Sequence, residues 1–130
     1  MTVLLDTQCW LWAAGFEERL SSGARNLIAS GDHELYLSVA SIWEMAIKYA
    51  VGKLQLPDPP ASFIPARLRA MDIHALPIKQ EHALHVATLP LHHRDPFDRL
   101  LIAQAQIEEL TILTSDPRFA AYDVTLVPAS

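Results

Sequence analysis

Five acidic residues stand where an acid needs a reason. Asp6 directly follows the apolar run 2–5, and Glu44 lies between Trp43 and Met45. Asp95 and Asp98 open a strongly apolar helical stretch, and Asp116 follows the β-like run 111–114. An unpaired charge in apolar surroundings is costly. If Asp6, Glu44, Asp98 and Asp116 converge, two such charges about 4 Å apart repel by roughly 4 kcal/mol at an effective dielectric of about 20. A group of this kind has to hold protons or divalent cations. Its all-oxygen donor set suits Mg²⁺ or Mn²⁺. Such cations activate water and stabilise the charge that develops on a phosphodiester.

Each acid also has a structural use. Asp95-Pro96 is a helix-capping pair, with Asp95 at the N-cap and Pro96 at the first helical position. Asp98 then falls at the third position, where the helix dipole favours an anion. Ser41-Ile42-Trp43-Glu44 matches a capping box. Ser38 is an equally good cap, and in that case Glu44 lies a turn deeper. Asp6 can cap a helix starting at Thr7, and Asp116-Pro117 can open a turn. No single acid decides between ligand and cap. All of them stand at strand ends or helix starts, and that common placement is the informative feature.

The elements that must position them alternate between strand and helix. Strands are expected at 2–5, 35–38, 73–77, 111–114 and 124–127. Helices are expected at 7–14, 21–30, 39–51, 61–71, 79–87 and 96–110, with Pro65 a blemish in the fourth. Gly15, Gly31 and Gly52 serve as helix stops. Ser21 or Ser22 caps the second helix. Short, continuously apolar strands suit a parallel sheet covered on both faces. The class is therefore α/β, with a mostly parallel sheet. In such sheets the functional crevice lies beyond the carboxyl ends of the strands. Asp6 and Asp116 meet there if the first and fourth strands are neighbours, which periodicity does not reveal.

The 130 residues suit one compact domain, and 51% hydrophobic content excludes disorder. No apolar run approaches a membrane span. Asp6 interrupts the apolar N-terminal stretch, which has no basic lead and does not read as a signal peptide. The single cysteine, Cys9, excludes an internal disulfide and a cysteine-based zinc site. These features fit a cytoplasmic protein with no membrane association. The net charge of −5 argues at first against a nucleic-acid partner. Setting four carboxylates aside in one metal pocket leaves eleven acids against ten basic residues, a nearly neutral remainder.

Arg94, Arg99, Lys48, Lys53 and Arg118 lie near the acids in sequence and are candidates to hold phosphates. Arg99 is alternatively a neutralising charge for the pocket. Thr7 and Thr114 are candidates to orient a carboxylate or a bound water. His82 and His85, beside Glu81, resemble half a zinc site without a third ligand and read as a surface or interface pair. His92 and His93 are given no catalytic role. Trp10, Trp12 and Trp43 read as core or dimer contacts before base-stacking ones.

The segments VLLDTQCWLWA, SVASIWEMAIKYAVGKLQL, HHRDPFDRLLIAQAQ and LTILTSDPRF, in this order, resemble PIN-domain ribonucleases. Within them they are similar to the VapC-type toxins of toxin–antitoxin pairs. The resemblance spans nearly the whole chain and implies a single PIN domain over 1–130. It implies a PIN-like three-layer sandwich with a five-stranded sheet and helices on both faces. It matches Asp6, Glu44 and Asp98 to metal-binding, catalytic acids and Asp116 to a more variable fourth. Asp95 is an extra acid that assists or only caps. It also implies a Mg²⁺- or Mn²⁺-dependent endoribonuclease that inhibits translation, a homodimer, and a cognate antitoxin that blocks the site. Rival readings are a PIN-type nuclease acting in RNA processing or on DNA, and an interaction module whose acids only cap helices. A receiver-like phosphoacceptor would need a lysine after a late strand, and 111–116 offers none.

Overall fold

The computed structural model describes residues 1–130. Five strands, β1 (Thr2–Leu5), β2 (Glu34–Ser38), β3 (Ile73–Leu76), β4 (Thr111–Thr114) and β5 (Leu126–Pro128), form one sheet in the order β3-β2-β1-β4-β5. Every pairing is parallel, so the sheet is parallel throughout, not only for the most part. Six helices connect them: α1 (Thr7–Gly15), α2 (Ser22–Ala29), α3 (Val39–Ala50), α4 (Pro60–Met71), α5 (Gln80–His85) and α6 (Pro96–Glu108). None is long and apolar enough to cross a membrane.

Side chains along a strand alternate between faces, and the core divides accordingly. Val3, Leu5, Leu35, Leu37 and Leu113 pack on one side with Trp10, Ile64 and Leu68 of α1 and α4. Leu4 and Ile112 pack on the other with Leu101, Ile102 and Ala105 of α6. β1 is buried on both faces because it is the central strand. Trp10 lies in the core edge-on to Phe63. Gln104 is also fully buried in α6, and its Oε1 accepts from Ser38 Oγ at 2.6 Å, tying α6 to the end of β2.

Local chemistry sets most boundaries. Ser21 caps α2 by accepting from Ala24 N–H. Gly31 and Gly52 adopt φ of 76° and 77°, where the chain leaves its helices. Ser38, not Ser41, caps α3, accepting from Ala40 N–H at 3.0 Å. Glu44 consequently lies in the second turn, and the capping-box reading fails. α6 stops two residues earlier than the apolar pattern suggests. Glu109 turns left-handed at φ 56°, a conformation composition does not signal for glutamate. The expected helix 79–87 divides into α5 and a 3₁₀ turn, Val86–Thr88. β5 lies later than expected because Leu126 pairs with Ile112, and Pro128 is tolerated there on an edge strand.

His82 is not the surface residue its neighbours suggest. It is fully buried, and its Nδ1 accepts from Lys79 N–H at 3.0 Å. His85 instead bonds Gln106 Oε1 at 2.7 Å.

Ile102 has no exposed surface. Ile102→Ala is expected to cost about 2–5 kcal/mol in urea-unfolding measurements. A loss below about 0.5 kcal/mol, as at a surface site, would mean that α6 does not pack on this sheet.

Candidate active site

β1 and β4 are neighbours, with Leu5 opposite Leu113. Their carboxyl ends therefore bring Asp6 and Asp116 to one edge. The adjacent β2 leads through Ser38 into α3, which contributes Glu44. The start of α6 contributes Asp95 and Asp98. All five acids line one cavity of about 520 Å³.

Asp6 caps α1, and its Oδ1 accepts from Cys9 N–H at 2.7 Å. Its Oδ2 accepts from the Thr114 hydroxyl. Burial nevertheless raises its pKa, outweighing these hydrogen bonds. Glu44 Oε1 accepts from Thr7 Oγ1 at 2.8 Å, and Thr7 shares a second 2.8 Å bond with Ser41. Glu44 Oε2 pairs with Lys48 Nζ at 2.9 Å, one helical turn away, and this bond raises the lysine pKa. Thr7, Thr114 and Lys48 thus all hold carboxylates in place.

Asp95 caps α6 through Phe97 N–H and Asp98 N–H, at 2.9 and 3.1 Å. Asp116 accepts from Arg118 N–H at 2.9 Å and is clamped by the Arg118 guanidinium, with Nη2 to Oδ2 at 2.8 Å. That clamp holds Asp116 below the usual carboxylate range. Asp98 has no such partner. Arg118 Nη2 stands 3.8 Å away and His93 Nε2 3.5 Å away. Burial, then the charges of Asp95, Glu44, Asp116 and Asp6, push Asp98 up to about 7. It is the acid at which their mutual repulsion collects.

Arg99 corrects an expectation. Its guanidinium donates to the carbonyls of Pro90, Val86 and Leu89 and to the Tyr122 hydroxyl. It braces the loop before α6, and neither it nor Arg94 lines the cavity. The basic residues that do are Lys48, Lys53, Arg118 and Arg19. Arg19 was not foreseen, because it is far in sequence from every acid. His93 was also passed over. It is buried, it faces Asp98, and burial together with the charge of Arg118 lowers its pKa. Its position two residues before the Asp-Pro cap was the available signal.

The acidic donors at the cavity are all oxygen, with a basic rim, and burial pushes one of them, Asp98, up to about 7. That chemistry fits Mg²⁺ or Mn²⁺, which take one or two carboxylates and keep several waters. The grouping of ligating atoms that closes to within 4.8 Å is a different one, Glu81, His82 and Glu108. It does not suit a metal. His82 Nδ1 accepts a backbone hydrogen bond, so its proton sits on Nε2 and faces Glu108 Oε1 at 3.7 Å. A metal-ligating histidine normally donates from its other nitrogen.

The PIN domain family model matches residues 3–124. The chain belongs to the PIN domain family. Ribonuclease VapC16 of Mycobacterium tuberculosis is 38% identical over 61 residues, which span 47% of this chain and 43% of that relative. Among solved structures, VapBC2 of Rickettsia felis, crystallised on a promoter DNA fragment, has a TM-score of 0.76 at 14% identity and covers 100% of both chains. DNA-bound VapBC of Salmonella typhimurium has a TM-score of 0.67 at 13% identity and 98% coverage of each chain. VapBC-1 of Haemophilus influenzae has a TM-score of 0.63 at 17% identity, again covering 98% of each. These likenesses concern the fold. In this PIN domain the acids follow β1 and β4, lie in α3 and open α6.

The Asp98 value sets a pH dependence. Below its unfolded value of 3.8 Asp98 is neutral in both states. Between there and about 7 only the unfolded chain ionises it, and above 7 the folded chain carries the full cost of a charge that is buried and repelled by its neighbours. Asp98→Asn should therefore stabilise the metal-free protein at pH 8 by on the order of 3 kcal/mol, a gain that fades toward pH 4. Urea titrations in EDTA measure it. An equal gain at both pH values would show that the buried charge of Asp98 is not the cause.

Proposed function

We propose that this PIN domain is a Mg²⁺- or Mn²⁺-dependent endoribonuclease and the toxin of a toxin–antitoxin pair that inhibits translation in the cytoplasm. The observation that carries the reading is the convergence of Asp6, Glu44, Asp98 and Asp116 in one cavity with a basic rim. Partial identity to a VapC ribonuclease supports the substrate class. Asp6, Glu44 and Asp98 would hold the cation, with Asp95 and the Arg118-bound Asp116 beside them. When bound, the cation activates water and neutralises charge on the phosphate. Thr114, Thr7 and Lys48 fix the rotamers of Asp6 and Glu44, so the acids are ordered before the substrate arrives. Arg118, Lys53 and Arg19 attract the RNA backbone. Cys9 takes no part as a nucleophile, because burial pushes its thiol far up.

An apolar groove of about 640 Å³ runs on from the acidic cavity and shares Gln8, Leu11, Trp12, Leu54 and Arg19 with it. Phe16, Pro57 and Phe63 complete its wall. Its complement is an apolar segment ending in a basic side chain that enters the acids, which is the character we assign to the antitoxin. The homodimer is assigned to α3. Val39, Trp43, Ile47 and Val51 follow one another at four-residue spacing and are 37%, 57%, 41% and 62% exposed. Such a stripe asks for a partner.

Purified protein with Mn²⁺ should cleave RNA, leaving 5′-phosphate and 3′-hydroxyl ends. Asp6→Asn and Asp98→Asn should each lower the rate by at least about 100-fold, in the range typical for loss of a group acting in the transition state. Undiminished cleavage by either variant would remove the assignment, and preference for a competing DNA would change the substrate. Ile47→Glu should convert a dimer into a monomer by light scattering. A parental mass would place the interface elsewhere.

A further inference from the structure

His93 sits in the loop before α6, with its side chain 5% exposed. Its Nε2 is buried and has no hydrogen-bond partner. The acid in front of it is Asp98, with Oδ2 at 3.5 Å. On the other side of the ring, Nδ1 lies 2.9 Å from the Tyr122 hydroxyl. That hydroxyl receives two donors, Arg99 Nη1 at 3.1 Å and the His93 backbone N–H at 3.3 Å.

A phenol oxygen has two lone pairs and one proton. Both lone pairs are taken by Arg99 and the backbone N–H. The proton of Tyr122 is then free only to be donated, and the acceptor in reach is His93 Nδ1. With Nδ1 accepting, the ring proton resides on Nε2 and points at Asp98. A protonated Nδ1 would leave the phenol with three donors and no acceptor.

Arg99 makes this assignment firm. Its guanidinium has no carboxylate partner and is spread over Pro90, Leu89 and Val86 carbonyls besides Tyr122. His92 packs edge-on against the Tyr122 ring, with centroids 4.9 Å apart. The phenol therefore cannot turn away without losing several contacts.

We propose that His93 is a positioning residue for Asp98: Arg99 and Tyr122 lock its ring in the Nε2–H tautomer, and that N–H orients the Asp98 carboxylate for the cation. The inference rests on Asp98 being a ligand. The contact at 3.5 Å is longer than a formed bond. Bonds of this kind are commonly long in the unliganded protein and tighten in the reacting complex. An outer donor that orients a ligating carboxylate typically contributes about 10–100-fold in metal affinity or activity. It also gives Arg99 a task in the site without contact with substrate.

Two measurements test this. In metal-free protein labelled with ¹⁵N-histidine, long-range ¹H–¹⁵N spectra should show His93 with its proton on Nε2. In Tyr122→Phe the same ring should lose that preference. A proton on Nδ1 in the parent overturns the proposal, as does a tautomer unchanged by Tyr122→Phe. Second, Mn²⁺ affinity is measured by calorimetry on folded protein, beside the melting temperature. His93→Leu should weaken Mn²⁺ by about 10–100-fold. His93→Gln, which retains an N–H at a similar reach, should recover most of it. Parental Mn²⁺ affinity in His93→Leu overturns the proposal, and so does a Gln variant as weak as Leu. If His93→Leu does not fold, Gln and the parent spectrum decide. If the parent binds no Mn²⁺, the metal site itself fails, while the tautomer spectrum still judges the relay.

Discussion

Like charges gathered at the carboxyl end of a parallel sheet are the constraint on which the rest of this structure turns. Asp6 and Asp116 meet there because β1 and β4 are neighbours, and Glu44 and Asp98 are added by helices packed on either side. Burial, with repulsion added to it, raises Asp98 to about 7 and Asp6 above its ordinary value. A chain that folds around such a site without its counter-charge gives up stability to do so. The two-sided apolar core of β1 offsets that cost, and the central strand leads directly into the buried Asp6.

The acids are not treated alike. Asp116 has an arginine, Glu44 has a lysine and a threonine, Asp6 has a hydroxyl and a backbone N–H, and Asp95 has two backbone N–H groups. Each is therefore close to satisfied within the chain. Asp98 has only a distant guanidinium and an imidazole whose N–H is not yet engaged. An incoming cation gains most where the protein has left the charge least compensated. The unequal distribution of partners thus leaves Asp98 the least compensated acid of the cluster.

Basic residues show a similar division of labour. Lys48 and Arg118 sit at the cavity, while Arg99, adjacent in sequence to Asp98, turns to backbone carbonyls and the Tyr122 hydroxyl. Successive residues on a helix point about 100° apart, and here that turn takes Arg99 out of the cavity that Asp98 lines. His82 shows the reverse case. Its polar neighbours suggest solvent, yet it lies at the core, with its Nδ1 satisfied by the backbone N–H of Lys79, the N-cap of α5.

Much of the site was legible in the chain. Asp-Pro before an apolar helix, an acid ending a buried strand, and an acid among α3's apolar residues mark places where charge must be met by something. Strand and helix order was legible too, because hydrophobic period and glycine or serine boundaries are local properties. Sequence left open the choice between Ser38 and Ser41 as the cap of α3, and the direction taken by Arg99. It did not signal the left-handed turn at Glu109, the burial of His82 or the tautomer of His93. Each depends on partners far along the chain, such as Gln104 for Ser38 and Tyr122 for His93 and Arg99. Sequence by itself determined which residues carry charge and which segments can be buried. Tertiary structure decided that β1 lies beside β4, and hence that the acids share one cavity, because strand order is set by long-range packing that no local pattern records.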